Sequence, residues 1–173
     1  MKITKYEHVA ALGAIIAHNP DAVVIAHGDI TRQFGVNNET LPYKTVTSDD
    51  EVKVGPFNLK FLGGEHATIH PDMSQIANLG LLINEAIFYP GDSFVDPGVQ
   101  VKVLALPVAA PWLKISESID YLLAVKPSIV FPTHDAILSK VGKGLPDTMI
   151  PPFAEKVGAT YKRIDDAPIE IEV

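Results

Sequence analysis

Residues 61–70 read FLGGEHATIH, and the fold turns on that stretch. An apolar run, Leu59 to Leu62, meets Gly63-Gly64 and then delivers His66. The pattern returns twice. In YPGDS, Ile87 to Tyr89 runs into Pro90-Gly91 and then Asp92; in FPTHD, Ile129 to Phe131 runs into Pro132 and then His134. A buried strand broken at Gly or Pro sets the next side chain at the rim of a sheet. Any one of these residues alone also reads as a loop residue with a satisfied hydrogen bond. Three strand ends carrying His, Asp and His place donors where they can converge on one metal. Imidazole and carboxylate are ordinary ligands of zinc, iron and manganese.

Working outward, the spacing predicts a helix over Val9–His18, closed by Asn19-Pro20. Ala22–Ala26 reads as a buried parallel strand, Gly28–Phe34 as a short helix, and Tyr43–Val46 as a strand. Glu51–Val54 and Phe57–Leu62 flank Gly55-Pro56 and form a hairpin. Leu79–Ile83 and Ala86–Tyr89 flank Asn84-Glu85 and form a second. Val101–Leu106 is apolar throughout, as in a sheet covered on both faces, and Pro107–Pro111 reads as a loop. Ser116 is read as the cap of a helix reaching Val125. A second helix starts at Pro151-Pro152, and Tyr161–Arg163 and Ile169–Val173 close the chain. Pattern alone gives a mixed α+β protein.

Composition bounds the function. At 173 residues the chain makes one domain, 1–173, with room for a sizeable core. The net charge of −7 argues against nucleic-acid and membrane partners and leaves a small-molecule substrate. With no cysteine there is neither a disulfide, a thiol nucleophile nor a thiolate zinc site. No apolar run suits a signal peptide or a bilayer crossing, so a cytoplasmic location is expected. Neither Ser93 nor Ser116 lies in a Gly-x-Ser-x-Gly elbow, which rejects a serine hydrolase.

GGEHATIHPD, an apolar hairpin, YPGDS, VLALPVAAPW and FPTHD, in that order, resemble the metallo-β-lactamase-fold hydrolases. The likeness runs from about Val9 to the C-terminus and is most similar to small bacterial enzymes related to the ascorbate-phosphate lactonases. It implies a four-layer αβ/βα sandwich. It also implies a dinuclear centre in which His66, Asp92 and His134 are ligands and Asp92 bridges two ions, zinc being favoured over manganese or iron. The reaction implied is attack of metal-activated water on an ester, lactone or phosphodiester. His70 and Asp135 are read as residues that orient the ligands or face the substrate. Trp112 is read as lining the pocket mouth, a subunit contact or plain packing, and Thr133 as a partner of a bound carboxylate or of the backbone. His18 and His27 are read as surface or capping residues.

One feature of the family is absent. No HxHxDH motif occurs. At His8-Val9 the chain passes from a likeness of the family's opening strand to a likeness of the helix C-terminal to that motif. The missing segment and its strands are either deleted or part of a longer molecule. As it stands the chain has few ligands per ion, since a zinc site normally takes at least three from the protein. Weak metal binding or none, with little hydrolysis, is the expectation. The alternative to an enzyme is a metal-poor remnant acting as a binding or assembly scaffold. A sheet lacking strands exposes an edge and a core face, so a homo-oligomer is expected.

Overall fold

A computed structural model describes residues 12–29 and 43–164. In chain order the elements are α1 (Leu12–His18), β1 (Val24–Ala26), β2 (Tyr43–Thr45), β3 (Glu51–Val54), β4 (Phe57–Gly63), β5 (Leu79–Ile83), β6 (Ile87–Tyr89) and β7 (Val103–Pro107). They continue with α2 (Ile115–Val125), β8 (Ile129–Thr133), a 3₁₀ turn (Asp135–Ile137), α3 (Lys140–Met149), α4 (Pro151–Lys156) and β9 (Thr160–Tyr161). β1 and β2 pair in parallel as a separate two-stranded sheet. The other strands form one seven-stranded sheet in chain order, antiparallel from β3 to β6 and parallel from β6 to β9.

Turn chemistry explains the antiparallel half. Gly55 turns β3 into β4 with φ 56, and Asn84 and Glu85 turn β5 into β6 with φ 50 and 54. Left-handed backbone at the first turn position in one hairpin, and at both Asn84 and Glu85 in the other, matches the twist of the flanking strands. The parallel half needs a crossover, and α2 supplies it between β7 and β8.

Register sorts the side chains onto two faces. Leu82, Phe88, Leu104, Leu106 and Val130 join Ile119 and Leu122 of α2 and Ala154 of α4 in the main core. Ile87, Val103, Ala105 and Phe131 are buried on the opposite face, continued by Val46, Val52 and Phe61. Each large apolar side chain so buried contributes about 1.5–3 kcal/mol. β7, buried along its whole length, carries apolar side chains to both faces. The result is a mixed α+β fold on one large central sheet.

Four local expectations change. β1 is half-buried, and among the described residues it pairs only with β2. Lys114, not Ser116, is the N-cap of α2. The Glu117 carboxylate accepts from the Lys114 N–H at 2.9 Å, which leaves Ser116 in the first turn. α3 begins at Lys140, although Gly142, Gly144 and Pro146 hide it from propensity. Ser139 caps it, accepting from Gly142 N–H at 3.1 Å, and Pro146 is buried beneath it. Pro107 closes β7 opposite Thr133 instead of opening the loop. The junction at His8-Val9, most of the 28–34 helix and the 169–173 strand lie outside the described residues.

Candidate functional site

His66 is placed by the end of β4. Gly63 and Gly64, at φ 93 and 149, bend the chain where a side chain would be strained. The His66 N–H donates to Ile76 O at 3.0 Å, and the Ala67 N–H donates to Asp92 O at 2.8 Å. The second bond ties the first strand-end motif to the second.

Asp92 is placed by Asn78, a residue whose importance the sequence did not signal. The Asn78 amide donates to Pro90 O at 2.9 Å and to Ser93 Oγ at 3.0 Å, while its carbonyl accepts from the Asp92 N–H at 2.8 Å. Gly91, at φ 70, has no room for a Cβ against the Asn78 amide. One amide side chain therefore organises the whole YPGDS turn. Trp112 completes it: the indole N–H donates to Asp92 Oδ1 at 3.1 Å. The Trp112 ring also packs edge-on against His66 and Phe94. The Tyr121 hydroxyl of α2 anchors the following loop by donating to Val95 O at 2.6 Å. Burial, then the charge of Asp96, pushes that phenol above its ordinary range, so it stays a donor.

His134 follows β8 in the left-handed conformation, φ 61 and ψ 12. Its Nε2 lies 3.0 Å from the Tyr89 hydroxyl, which projects from the end of β6. Its Nδ1 lies 3.4 Å from Asp92 Oδ1, and His66 Nε2 lies 3.6 Å from the same oxygen. The three strand ends thus meet at one carboxylate oxygen. The imidazoles are 14% and 11% exposed and Asp92 37%, so the cluster opens to solvent at the carboxylate.

His66 Nδ1–H donates to Ala67 O at 2.5 Å. In the neutral ring this leaves a lone pair on Nε2, facing the lone pairs of the carboxylate. Two acceptors turned toward each other favour a cation or a proton between them. By donor type, two imidazoles and a carboxylate fit one divalent ion. Among the described residues no group of three or more His, Cys, Asp or Glu, these three included, is arranged so that it could hold a metal ion as it stands. A two-ion centre needs more donors than these three.

The remaining candidates lie elsewhere. His70 is 61% exposed and accepts from the Asp72 N–H. His18 closes α1 by donating to Ala14 O at 2.8 Å, and His27 accepts from the Asp29 N–H at 3.2 Å. Asp135 is buried, its carboxylate paired with Arg163 and Lys143. Thr133 Oγ1 is buried with no hydrogen-bond partner among the described residues. A groove of about 250 Å³ over β3, β4 and β5, lined by Glu51, Lys53 and Lys60, holds none of the three converging residues.

A family model described as a beta-lactamase superfamily domain matches residues 3–134. The chain belongs to that superfamily. Within the superfamily match lie all three converging residues, His134 at its last position. Protein Rv0786c of Mycobacterium tuberculosis is 37% identical over 142 residues, covering 79% of this chain. This chain spans 65% of that relative's length. Among solved structures, Igni18, a metallo hydrolase from the hyperthermophilic archaeon Ignicoccus hospitalis, superposes with a TM-score of 0.69 at 14% identity, over 99% of this chain and 78% of that one. YhfI of Bacillus subtilis, a metallo-beta-lactamase fold protein, gives 0.60 at 15% identity, over 94% and 72%. CmlA of Streptomyces venezuelae, a diiron beta-hydroxylase, gives 0.52 at 13% identity, over 83% and 37%. The structural likenesses establish the metallo-β-lactamase fold.

Proposed function

We propose that this superfamily member is a metal-dependent hydrolase of small-molecule esters, lactones or phosphodiesters, with His66, Asp92 and His134 holding one divalent ion. The observation that carries the reading is the convergence on Asp92 Oδ1, with the His66 lone pair turned into the cluster by Ala67 O. Superfamily membership supports a hydrolase-type function, and a metallo hydrolase and a diiron protein among the fold's relatives support a divalent metal. A bound ion there supplies Lewis acidity and lowers the pKa of water to about 7.

The chain's own groups do the rest. Trp112 and Asn78 hold the carboxylate, from its side chain and from its backbone. Ala67 O fixes which His66 nitrogen faces inward, as orienting groups do in metal sites. The Tyr89 hydroxyl holds the outer nitrogen of His134. The Trp112 ring borders the cluster beside His66 and is backed by Phe94.

The second reading, a metal-poor binding or assembly scaffold, is favoured because no group of three or more His, Cys, Asp or Glu among the described residues is arranged to hold a metal ion. One experiment separates the two. Hydrolysis of a nitrophenyl ester, a lactone and bis(nitrophenyl) phosphate is measured on the metal-stripped chain, before and after zinc, manganese or iron(II) is added. The enzyme reading expects activity that returns with metal and is lost in Asp92→Asn. Activity indifferent to both metal and Asp92, or none with any ion, overturns it in favour of the scaffold.

A further inference from the structure

The left-handed backbone at His134 is uncommon for a residue with a side chain, and it sits where β8 hands the chain to the site. Such conformations persist when the surroundings over-determine them, and they gather at functional positions. A buried charge lies one residue on. Asp135 is 3% exposed, and a carboxylate so buried needs a cationic partner. Arg163 Nη1 donates to its Oδ2 at 2.5 Å, and Lys143 Nζ lies 3.5 Å from the same oxygen.

Arg163 is itself held from the far side. Its Nε donates to both Asp147 oxygens at 2.8 Å and its Nη2 to Asp147 Oδ1 at 2.6 Å. Asp147 also accepts from the Tyr161 hydroxyl at 2.6 Å. The guanidinium thus joins β9, α3 and the 3₁₀ turn, and its rigid fork transmits position as well as charge. Asp135 directly follows His134, the left-handed residue of the converging three.

We propose that Arg163 is a positioning residue, acting through Asp135 to hold the turn that aims His134 at Asp92. The inference rests on the reading of His134 as part of the functional site. It predicts that loss of the clamp is felt more at His134 than at His66, which the end of β4 places and which meets His134 through Asp92.

The test uses the full-length, metal-free chain at one fixed pH. Imidazole ¹H–¹⁵N correlation spectra of Arg163→Met and Arg163→Lys are compared with those of the unaltered chain, with circular dichroism to check folding. The His134 ring signals are expected to shift more than those of His66. Arg163→Met fails to fold only if the clamp also carries stability; Arg163→Lys, which keeps the charge without the fork, then decides the matter. Cobalt(II) binding, followed by its visible absorption, is expected to weaken about 10–100-fold in Arg163→Met, the usual effect of removing a group that orients a ligand. Unmoved His134 signals in a folded variant, or equal shifts at His66 and His134, overturn the proposal. An unaltered chain that takes up no cobalt(II) counts against the metal reading alone, because the metal-free spectra still decide the role of Arg163.

Discussion

Replacing Asn78 with alanine removes three hydrogen bonds from the YPGDS turn and leaves the Asp92 N–H without its acceptor. At about 1 kcal/mol per bond the expected loss is about 2–3 kcal/mol in urea unfolding. Asp147 gives a prediction in pH. Burial alone would raise its pKa, but hydrogen bonds from Arg163 and Tyr161, with the Arg163 charge, outweigh it and hold the carboxyl below its ordinary range. A depressed carboxyl stabilises the fold above its unfolded pKa and loses that contribution as pH falls through the folded value. Asp147→Asn is therefore expected to cost about 1–2 kcal/mol at neutral pH, modest because the group is partly exposed. The gap to the unaltered chain should close below about pH 4. Urea unfolding at the two pH values checks it, and a gap that widens in acid contradicts it. His66, Asp92 and His134 were legible because strand, break and side chain are adjacent in sequence. Asn78, Tyr89 and Arg163 were not, because each acts on a partner 14 or more residues away, and for Trp112 the sequence offered the pocket mouth without its bond to Asp92.

The elements read from sequence were those with local punctuation. Gly55-Pro56 and Asn84-Glu85 announce both hairpins, and the unbroken apolar run announces β7. α3 escaped because its glycines and Pro146 argue against a helix that the Ser139 cap starts and that buries little beyond Pro146. β1 was placed in a buried sheet, a matter of which elements lie against it, and its own residues do not encode that. Phe88 shows where the packing energy sits: it is fully buried on β6, in the core shared with α2 and α4. Phe88→Ala is expected to cost about 3–5 kcal/mol in urea unfolding. A loss under about 1 kcal/mol, on the order of a surface change, would mean that β6 does not seat the sheet on its helices. Gly80 sets the limit in the other direction, since a Cβ there would lie 3.0 Å from both Phe88 Cζ and Val95 Cγ1.

At the scale of the molecule, one twisted sheet apolar on both faces brings three strand ends to a common rim. Among the described residues no helix is long and apolar enough to cross a membrane. Fold class was legible because the order of motifs is specific to the superfamily. Everything functional rests on one claim, that His66, Asp92 and His134 together hold a cation. Titration calorimetry with zinc on the metal-stripped chain, beside Asp92→Asn, tests it most directly. The account predicts saturable uptake of one ion per chain, weaker than a complete centre would show and lost in Asp92→Asn. No saturable uptake, or uptake unchanged by Asp92→Asn, would contradict it.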